Sequence, residues 1–158
     1  KNFVSFSVAD EKIFAEFANI IVPTTKSSPG AKAAGVVKFI PMMIQDCYPK
    51  EMQTSFARGF QALQDKSMKD FGKNYLALTA AERTKLMVDL RAISLEQKQT
   101  KSEQNKDIVY FFVTARDLTL LGYYSSEIGC TQARAYVAIP GRYDGAAPLK
   151  PGQKSWAT

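Results

Sequence analysis

The sequence of 158 residues contains no histidine, and this absence excludes several kinds of catalytic and metal site. Ser-His-Asp and Cys-His catalysis, the H-E-x-x-H zinc motif and histidine-ligated haem all require an imidazole. The glycines form neither a dinucleotide-binding motif nor a phosphate-binding loop. No apolar run reaches the about 18–20 residues of a membrane-spanning helix. The residues therefore give no support to a cofactor or metal site in this chain, or to a direct membrane span.

Cysteine is scarce, since Cys47 and Cys130 are the two cysteines in the chain. Two cysteines are too few for an all-cysteine iron–sulfur or zinc site. One disulfide between them stays open as an alternative for an exported protein. Because free cysteine is among the most buried residue types, we favour two buried free thiols.

Positive charge exceeds negative charge, with a formal net charge of +6. The lysines and arginines are scattered singly among polar neighbours, which is typical of solvated helix faces. A nucleic-acid-binding protein usually concentrates its basic residues in a patch or stripe. We therefore predict no nucleic-acid partner.

Apolar residues recur at helical spacing in five segments, and capping signals mark several helix ends. Ser7-Val8-Ala9-Asp10 and Thr79-Ala80-Ala81-Glu82 have the form of a capping box and open the first and fourth helices. Gly72 is expected to cap the third helix, and Pro41 to kink the second or to lie in its first turns. The residues predicted to face inward are Ile13, Phe14, Phe17, Ile20, Ile21, Val36, Ile40, Met43, Ile44, Cys47, Met52, Phe56, Phe60, Leu63, Leu86, Leu90, Ile93, Ile108, Phe111, Phe112, Ala115 and Leu118.

The fifth helix has apolar residues on its opposite side too, namely Val109, Val113, Leu120 and Tyr124. A helix that is apolar on two sides is usually central. The fold class is therefore all-α, a bundle of about five helices with a central C-terminal helix, followed by an extended, irregular C-terminal arm. One domain spans 1–158, with the bundle at about 7–124 and the arm at about 125–158.

Charged residues within the helices have structural explanations. Arg116 and Asp117 lie on the otherwise apolar fifth helix, and we interpret them as a buried ion pair or as caps for nearby backbone. Glu11 and Glu16 are interpreted as solvated charges on an exposed helix face. An enzyme built on carboxylates, lysine or tyrosine near Arg116 and Asp117 is the rival hypothesis, and it needs a pocket with convergent titratable groups.

The last quarter of the chain is rich in aromatic residues, glycine and proline and has no helical period. Disordered segments are typically poor in aromatic residues. An ordered arm is therefore expected, which either wraps its own bundle or lies on another protein. Its composition favours neither alternative. The large aromatic residues are Tyr123, Tyr124, Tyr136, Tyr143 and Trp156.

Three segments of the sequence resemble a known family: 18–40 (ANIIVPTTKSSPGAKAAGVVKFI), 56–86 (FARGFQALQDKSMKDFGKNYLALTAAERTKL) and 119–157 (TLLGYYSSEIGCTQARAYVAIPGRYDGAAPLKPGQKSWA). The family is gluconate 2-dehydrogenase subunit 3, the small (gamma) subunits of bacterial periplasmic flavin-dependent sugar and polyol dehydrogenases. The resemblance covers most of the chain and is most specific in the third segment. It does not select a sugar or polyol substrate.

The resemblance implies a helical, non-catalytic subunit that binds no cofactor or metal of its own. Its expected partner is a large dehydrogenase subunit of the glucose–methanol–choline (GMC) type that carries FAD. Small subunits of the family often carry an export signal. This chain begins at Lys1 without one, so we expect a mature or shortened form. The expected location is periplasmic or exported, with membrane association through the partner or through a removed N-terminal signal or anchor.

The resemblance also favours an arm that docks on the large subunit. The partner contacts expected on this basis are Tyr123, Glu127, Gln132, Pro140, Gly141, Tyr143, Pro148 and Trp156, whereas Tyr124 is expected to complete the bundle core. An isolated chain with such an arm is expected either to self-associate or to show a mobile arm. A free-standing helical binding protein or export chaperone is the alternative function.

Overall fold

A computed structural model describes residues 4–100, 103–139, 141, 144–148 and 150–157. The described residues form the helices α1 (Val8–Ile21), α2 (Val36–Cys47), α3 (Lys50–Phe71), α4 (Ala80–Thr100) and α5 (Lys106–Tyr124). A 3-10 turn (Tyr75–Ala77) precedes α4, and a π-helical turn (Gly129–Ala133) follows α5. Two short strands, β1 (Ala135–Tyr136) and β2 (Trp156–Ala157), lie in the mostly irregular C-terminal region. The predicted all-α fold class is confirmed.

Both predicted capping boxes open the helices as expected. The Ser7 N–H donates to Asp10 Oδ2 at 2.8 Å, and the Asp10 N–H donates to Ser7 Oγ at 3.2 Å. At the start of α4, the Thr79 N–H donates to Glu82 Oε2 at 2.7 Å, and the Glu82 N–H donates to Thr79 Oγ1 at 3.2 Å. Each box satisfies backbone donors that the first helical turn leaves without a partner. Gly72 ends α3 in the left-handed conformation, as predicted.

The capping box of α4 predicts a loss of stability in acid. Hydrogen bonds from the Thr79 backbone and from Lys73 lower the pKa of Glu82 from 4.5 to about 2. A lowered pKa in the folded state stabilises the fold above the unfolded value of 4.5, and this contribution disappears as the pH falls toward about 2. We expect Glu82→Gln to reduce the decline in melting temperature across this window, whereas Glu96→Gln, on the exposed side of α4, should leave the decline unchanged. An unchanged decline in the Glu82 variant would contradict this role.

Helix α5 is central, because it packs against each of the other four helices. Its Phe111 is fully buried, and the ring centroid lies 4.9 Å from that of Phe56, 5.5 Å from that of Phe17 and 5.7 Å from that of Phe60. These rings come from α1, α3 and α5, so one aromatic cluster joins three helices. The predicted central position of the fifth helix is confirmed.

Of the residues predicted to face inward, all but Met52 and Cys47 are buried or half-buried. The inward position in the first turn of α3 belongs to Gln53, whose side-chain amide donates to the carbonyl oxygens of Gln45 at 3.1 Å and of Tyr48 at 2.9 Å. The junction between α2 and α3 leaves these carbonyls to be satisfied, so an amide replaces an apolar side chain there. The prediction for Met52 is therefore wrong.

Both cysteines are free thiols, but neither is buried. Cys47 is exposed because it is the last residue of α2, where the chain leaves the core. Cys130 is half-buried in the π-helical turn, and its Sγ donates to the Tyr124 carbonyl oxygen at 3.1 Å. The two thiols are free, as predicted, whereas their predicted burial is wrong for Cys47 and only partial for Cys130.

The charged residues of α1 and α5 also differ from expectation. Arg116 and Asp117 form an ion pair at 2.8 Å, but it lies at the surface. Glu16 is half-buried: one carboxylate oxygen pairs with Lys32 at 2.5 Å and the other with Arg83. It therefore links α1 to two other segments, and the interpretation of Glu16 as a solvated charge is wrong.

The backbones of helices α3 and α5 approach each other closely at Gly59. A Cβ atom at this position would lie 2.0 Å from the Asp107 carbonyl oxygen and 2.6 Å from the Phe111 Cβ. We expect Gly59→Ala to lower the free energy of unfolding by about 2–3 kcal/mol, because two helix backbones must separate. Helix propensity alone would favour alanine by about 1 kcal/mol.

A matched control for Gly59 is Gly122→Ala in α5. There the new Cβ would lie 2.6 Å from Cδ1 of the Phe39 ring, which is a side chain and can rotate away. We expect a smaller loss for this control in urea denaturation. Equal losses for the two variants would show that backbone contact at Gly59 is not what sets the distance between α3 and α5.

Candidate partner-binding surface

The end of α5 is anchored in the bundle by Tyr123. This residue is 1% exposed, and its hydroxyl donates to the Pro29 carbonyl oxygen at 2.7 Å. The next residue, Tyr124, is 38% exposed. Positions 111, 115, 118, 119, 122 and 123 form the buried side of α5, and position 124 lies outside this side. The expectation that Tyr124 completes the core is wrong; Tyr123 does so, and it offers almost no surface to a partner.

Beyond α5 the chain passes through the π-helical turn, and the strand that follows, β1, pairs with β2 near the C-terminal end of the chain. The Ala135 N–H donates to the Ser155 carbonyl oxygen at 2.8 Å, and the Val137 N–H donates to the Ala157 carbonyl oxygen at 2.9 Å. Ala135 pairs with Trp156 and Tyr136 with Ala157, in parallel orientation. The C-terminal region therefore closes on itself, a feature that helical periodicity could not indicate.

Two side chains tie this ladder to the rest of the molecule. The Arg134 guanidinium lies over the Tyr124 ring, 4.5 Å from the ring centroid, as in a cation–π contact. The Lys154 ammonium donates to the Gln132 carbonyl oxygen. These contacts hold β1 and β2 beside the end of α5 and give the C-terminal segment a defined position.

The other predicted partner contacts lie at the surface where the structure describes them. Glu127, Gln132, Gly141, Pro148 and Trp156 are all exposed. Pro140 and Tyr143 lie outside the described residues.

Exposed apolar side chains accumulate at the end of α5 and in the C-terminal segment. Trp156 is 63% exposed and Tyr136 is 52% exposed. Tryptophan and tyrosine are enriched among the residues that dominate binding energy in protein interfaces. We use the name C-terminal aromatic surface for Leu121, Tyr124, Tyr136, Ile139 and Trp156, all of which are exposed.

Helices α4 and α5 border an open groove with a volume of about 430 Å³. Its charged side chains, Lys98 and Arg116, are both cationic. Within the described lining no carboxylate is therefore present to serve as a general acid or base. Outside this groove, burial raises the pKa of the Tyr48 and Tyr75 hydroxyls and is the largest effect on each, so both are weaker acids than an exposed tyrosine. The groove is lined by Ser94, Leu95, Gln97, Lys98, Val109, Val113 and Arg116.

Across the described ranges, no group of three or more Cys, Asp or Glu side chains is arranged to hold a metal ion. Among the described helices, not one combines the length and the apolar character that crossing a membrane requires.

The described residues thus define a small all-α protein with an exposed aromatic surface at its C-terminal end. Residues 9–141 match the family described as Gluconate 2-dehydrogenase subunit 3, and this match covers most of the chain. The chain therefore belongs to that family, a family of small accessory subunits of a dehydrogenase complex, and the resemblance seen in the sequence is confirmed. Searches of curated proteins and of solved structures found no match.

Proposed function

We propose that this chain is the non-catalytic small subunit that binds and supports a large flavin-dependent sugar or polyol dehydrogenase subunit of the GMC type. The observation that carries the proposal is the family match over residues 9–141. The large subunit carries FAD and the catalytic residues. The small subunit contributes a rigid helical bundle and a binding surface.

The C-terminal aromatic surface supports a role in binding. It exposes one tryptophan and two tyrosines, the side-chain types that often dominate the binding energy of protein interfaces. Tyr124 replaces Tyr123 among the proposed contacts because Tyr123 is buried. Glu127, Gln132, Gly141, Pro148 and Trp156 remain proposed polar and apolar contacts, and Pro140 and Tyr143 remain proposed from the sequence.

The proposal includes a periplasmic or exported location. The complex would reach the membrane through the large subunit or through an N-terminal signal or anchor. The family resemblance supports this location.

The test is co-expression of the chain with a large flavin-binding GMC-type dehydrogenase subunit from the same genome. We expect a stoichiometric complex that survives gel filtration, contains flavin and oxidises a sugar or polyol with a dye acceptor. The isolated chain should be colourless and inactive in the same assay.

Two other outcomes would overturn the proposal. If the chain assists the large subunit but dissociates before the mature complex is isolated, the export-chaperone alternative is correct. If the isolated chain binds flavin or oxidises a sugar, the chain is an enzyme in its own right.

A further inference from the structure

As far as the structure describes the chain, the ladder formed by β1 and β2 has two open outer edges. Ala135 and Val137 direct their backbone N–H groups toward β2. Because backbone groups alternate in direction along a strand, Tyr136 directs its N–H and C=O to the other side of β1, and Trp156 directs its own to the outer side of β2. Among the described residues, neither outward pair has a hydrogen-bond partner.

Such a ladder is unusual as a complete structural unit. Parallel strands occur mostly in larger sheets whose faces are covered, and even an isolated two-stranded hairpin is marginally stable in water. Here the pairing extends over two residues on each strand, while Tyr136 and Trp156 expose more than half of their surface. An open strand edge is a template on which another extended chain can pair.

The charge near β1 indicates the chemistry of that chain. Arg134 directly precedes β1, and among the described residues no carboxylate lies within ion-pair distance of its guanidinium. The buried Arg134 Nε also has no hydrogen-bond partner in the described structure. From position 134 to position 157, Asp144 is the one acidic residue, against the basic residues Arg134, Arg142, Lys150 and Lys154.

A second copy of this chain would bring the same positive charge to the edge and would be repelled. An acidic strand from a different protein would be attracted, and a carboxylate could pair with Arg134. The outer edge of β1 lies within residues 9–141, the part of the chain that matches the family, whereas β2 lies beyond it. These observations favour β1 over β2 as the edge that is used.

We propose that the large dehydrogenase subunit adds an extended strand with acidic side chains to the outer edge of β1. The Tyr136 N–H and C=O form the new backbone hydrogen bonds, and Arg134 forms an ion pair with a carboxylate of the added strand. This mode of recognition is β-augmentation. The inference rests on the proposed function and specifies how the partner is held.

The backbone contribution is tested with proline, which removes one N–H. Tyr136→Ala removes the ring and keeps the N–H, whereas Tyr136→Pro removes both. We expect Tyr136→Pro to bind the co-expressed large subunit about 5- to 10-fold more weakly than Tyr136→Ala does, as the loss of one hydrogen bond requires. The internal ladder bonds are donated by Ala135 and Val137, so both variants should keep the ladder.

The matched control uses the opposite edge. Trp156→Pro removes an outward N–H on β2, and we expect it to bind the large subunit as tightly as Trp156→Ala does. The charge contribution is tested with Arg134→Glu, which should weaken binding at least about tenfold. Arg91→Glu, at an exposed position of α4, makes the same change of charge and should have little effect.

Hydrogen exchange on the unmodified chain supplies a measurement that needs no variant. The Tyr136 amide should exchange rapidly in the free chain and at least about tenfold more slowly in the complex, because a new hydrogen bond protects it. The peptide that contains Trp156 should show no comparable protection on its outer edge.

The outcomes separate this inference from the proposed function. If the complex forms but Tyr136→Pro equals Tyr136→Ala and the Tyr136 amide stays unprotected, β-augmentation is wrong and the proposed function stands. If instead Trp156→Pro binds the large subunit more weakly than Trp156→Ala does, the added strand pairs with β2 and the assignment to β1 is wrong. Protection of Tyr136 by self-association of the isolated chain would make a second copy the occupant. If no complex forms, the proposed function is wrong, and the inference that rests on it is wrong as well.

Discussion

Replacing Phe111 with alanine is expected to lower the free energy of unfolding by about 3–5 kcal/mol. Phe111 has no exposed surface, and its ring lies within 6.4 Å of the rings of Phe14, Phe17, Phe56 and Phe60, measured between centroids. Three helices surround the site, so none of them can move to fill the cavity without losing contacts on its other side. Urea denaturation at constant pH measures the loss.

Two controls identify the cause of this loss. Phe111→Leu keeps most of the apolar volume and should cost clearly less than Phe111→Ala. Leu121→Ala lies on the same helix at a position that is 54% exposed, and it should change the free energy of unfolding by no more than about 0.5 kcal/mol. A loss below about 1.5 kcal/mol for Phe111→Ala would show that the aromatic cluster is not the centre of the core.

Truncation after Gln132 is expected to abolish stable binding of the large subunit while the helical bundle stays folded. The main hydrophobic cluster extends from Ile13 to Tyr123, and of the removed residues that the structure describes only the half-buried Ala133 packs against it. The truncation removes the ladder together with Tyr136 and Trp156. Loss of two or more aromatic anchors should raise the dissociation constant at least about 100-fold.

The truncated chain requires two paired measurements. Circular dichroism and thermal unfolding should show a cooperative helical protein whose melting temperature is within a few degrees of the full chain. Pull-down with the co-expressed large subunit should recover no stoichiometric complex. If the truncated bundle unfolds, the C-terminal segment is structural; if the bundle folds and still binds tightly, the interface lies on the helices.

Local sequence signals were sufficient to predict most of the helical bundle. A capping box needs residues three positions apart, so Ser7 with Asp10 and Thr79 with Glu82 could be recognised without knowledge of the fold. Helical spacing of apolar residues likewise identified the aromatic core around Phe111, because one buried side of a helix follows from its period. The three family-like segments led to the same class of protein that the match over residues 9–141 establishes.

The candidate surface depended on contacts between distant parts of the chain. Tyr123 and Tyr124 are adjacent and chemically equal, but Tyr123 lies on the side of α5 that the bundle buries, where its hydroxyl donates to the Pro29 carbonyl oxygen. Glu16 becomes an ion-pair centre because folding brings Lys32 and Arg83 to it. Patterns within a few residues cannot indicate these hydrogen-bond and ion-pair partners, because the partners lie far from Tyr123 and Glu16 in the sequence.

The sequence alone thus determined the helices, the aromatic core and the family, because periodicity, capping and motif similarity are local or linear properties. The tertiary structure decided which groups Glu16 and the Tyr123 hydroxyl contact, that Cys47 is exposed and how β1 pairs with β2. Neither short segment by itself indicates that Ala135 pairs with Trp156. A parallel ladder between them depends on a turn of the intervening chain, and so its open edge beside Arg134 became visible only in three dimensions.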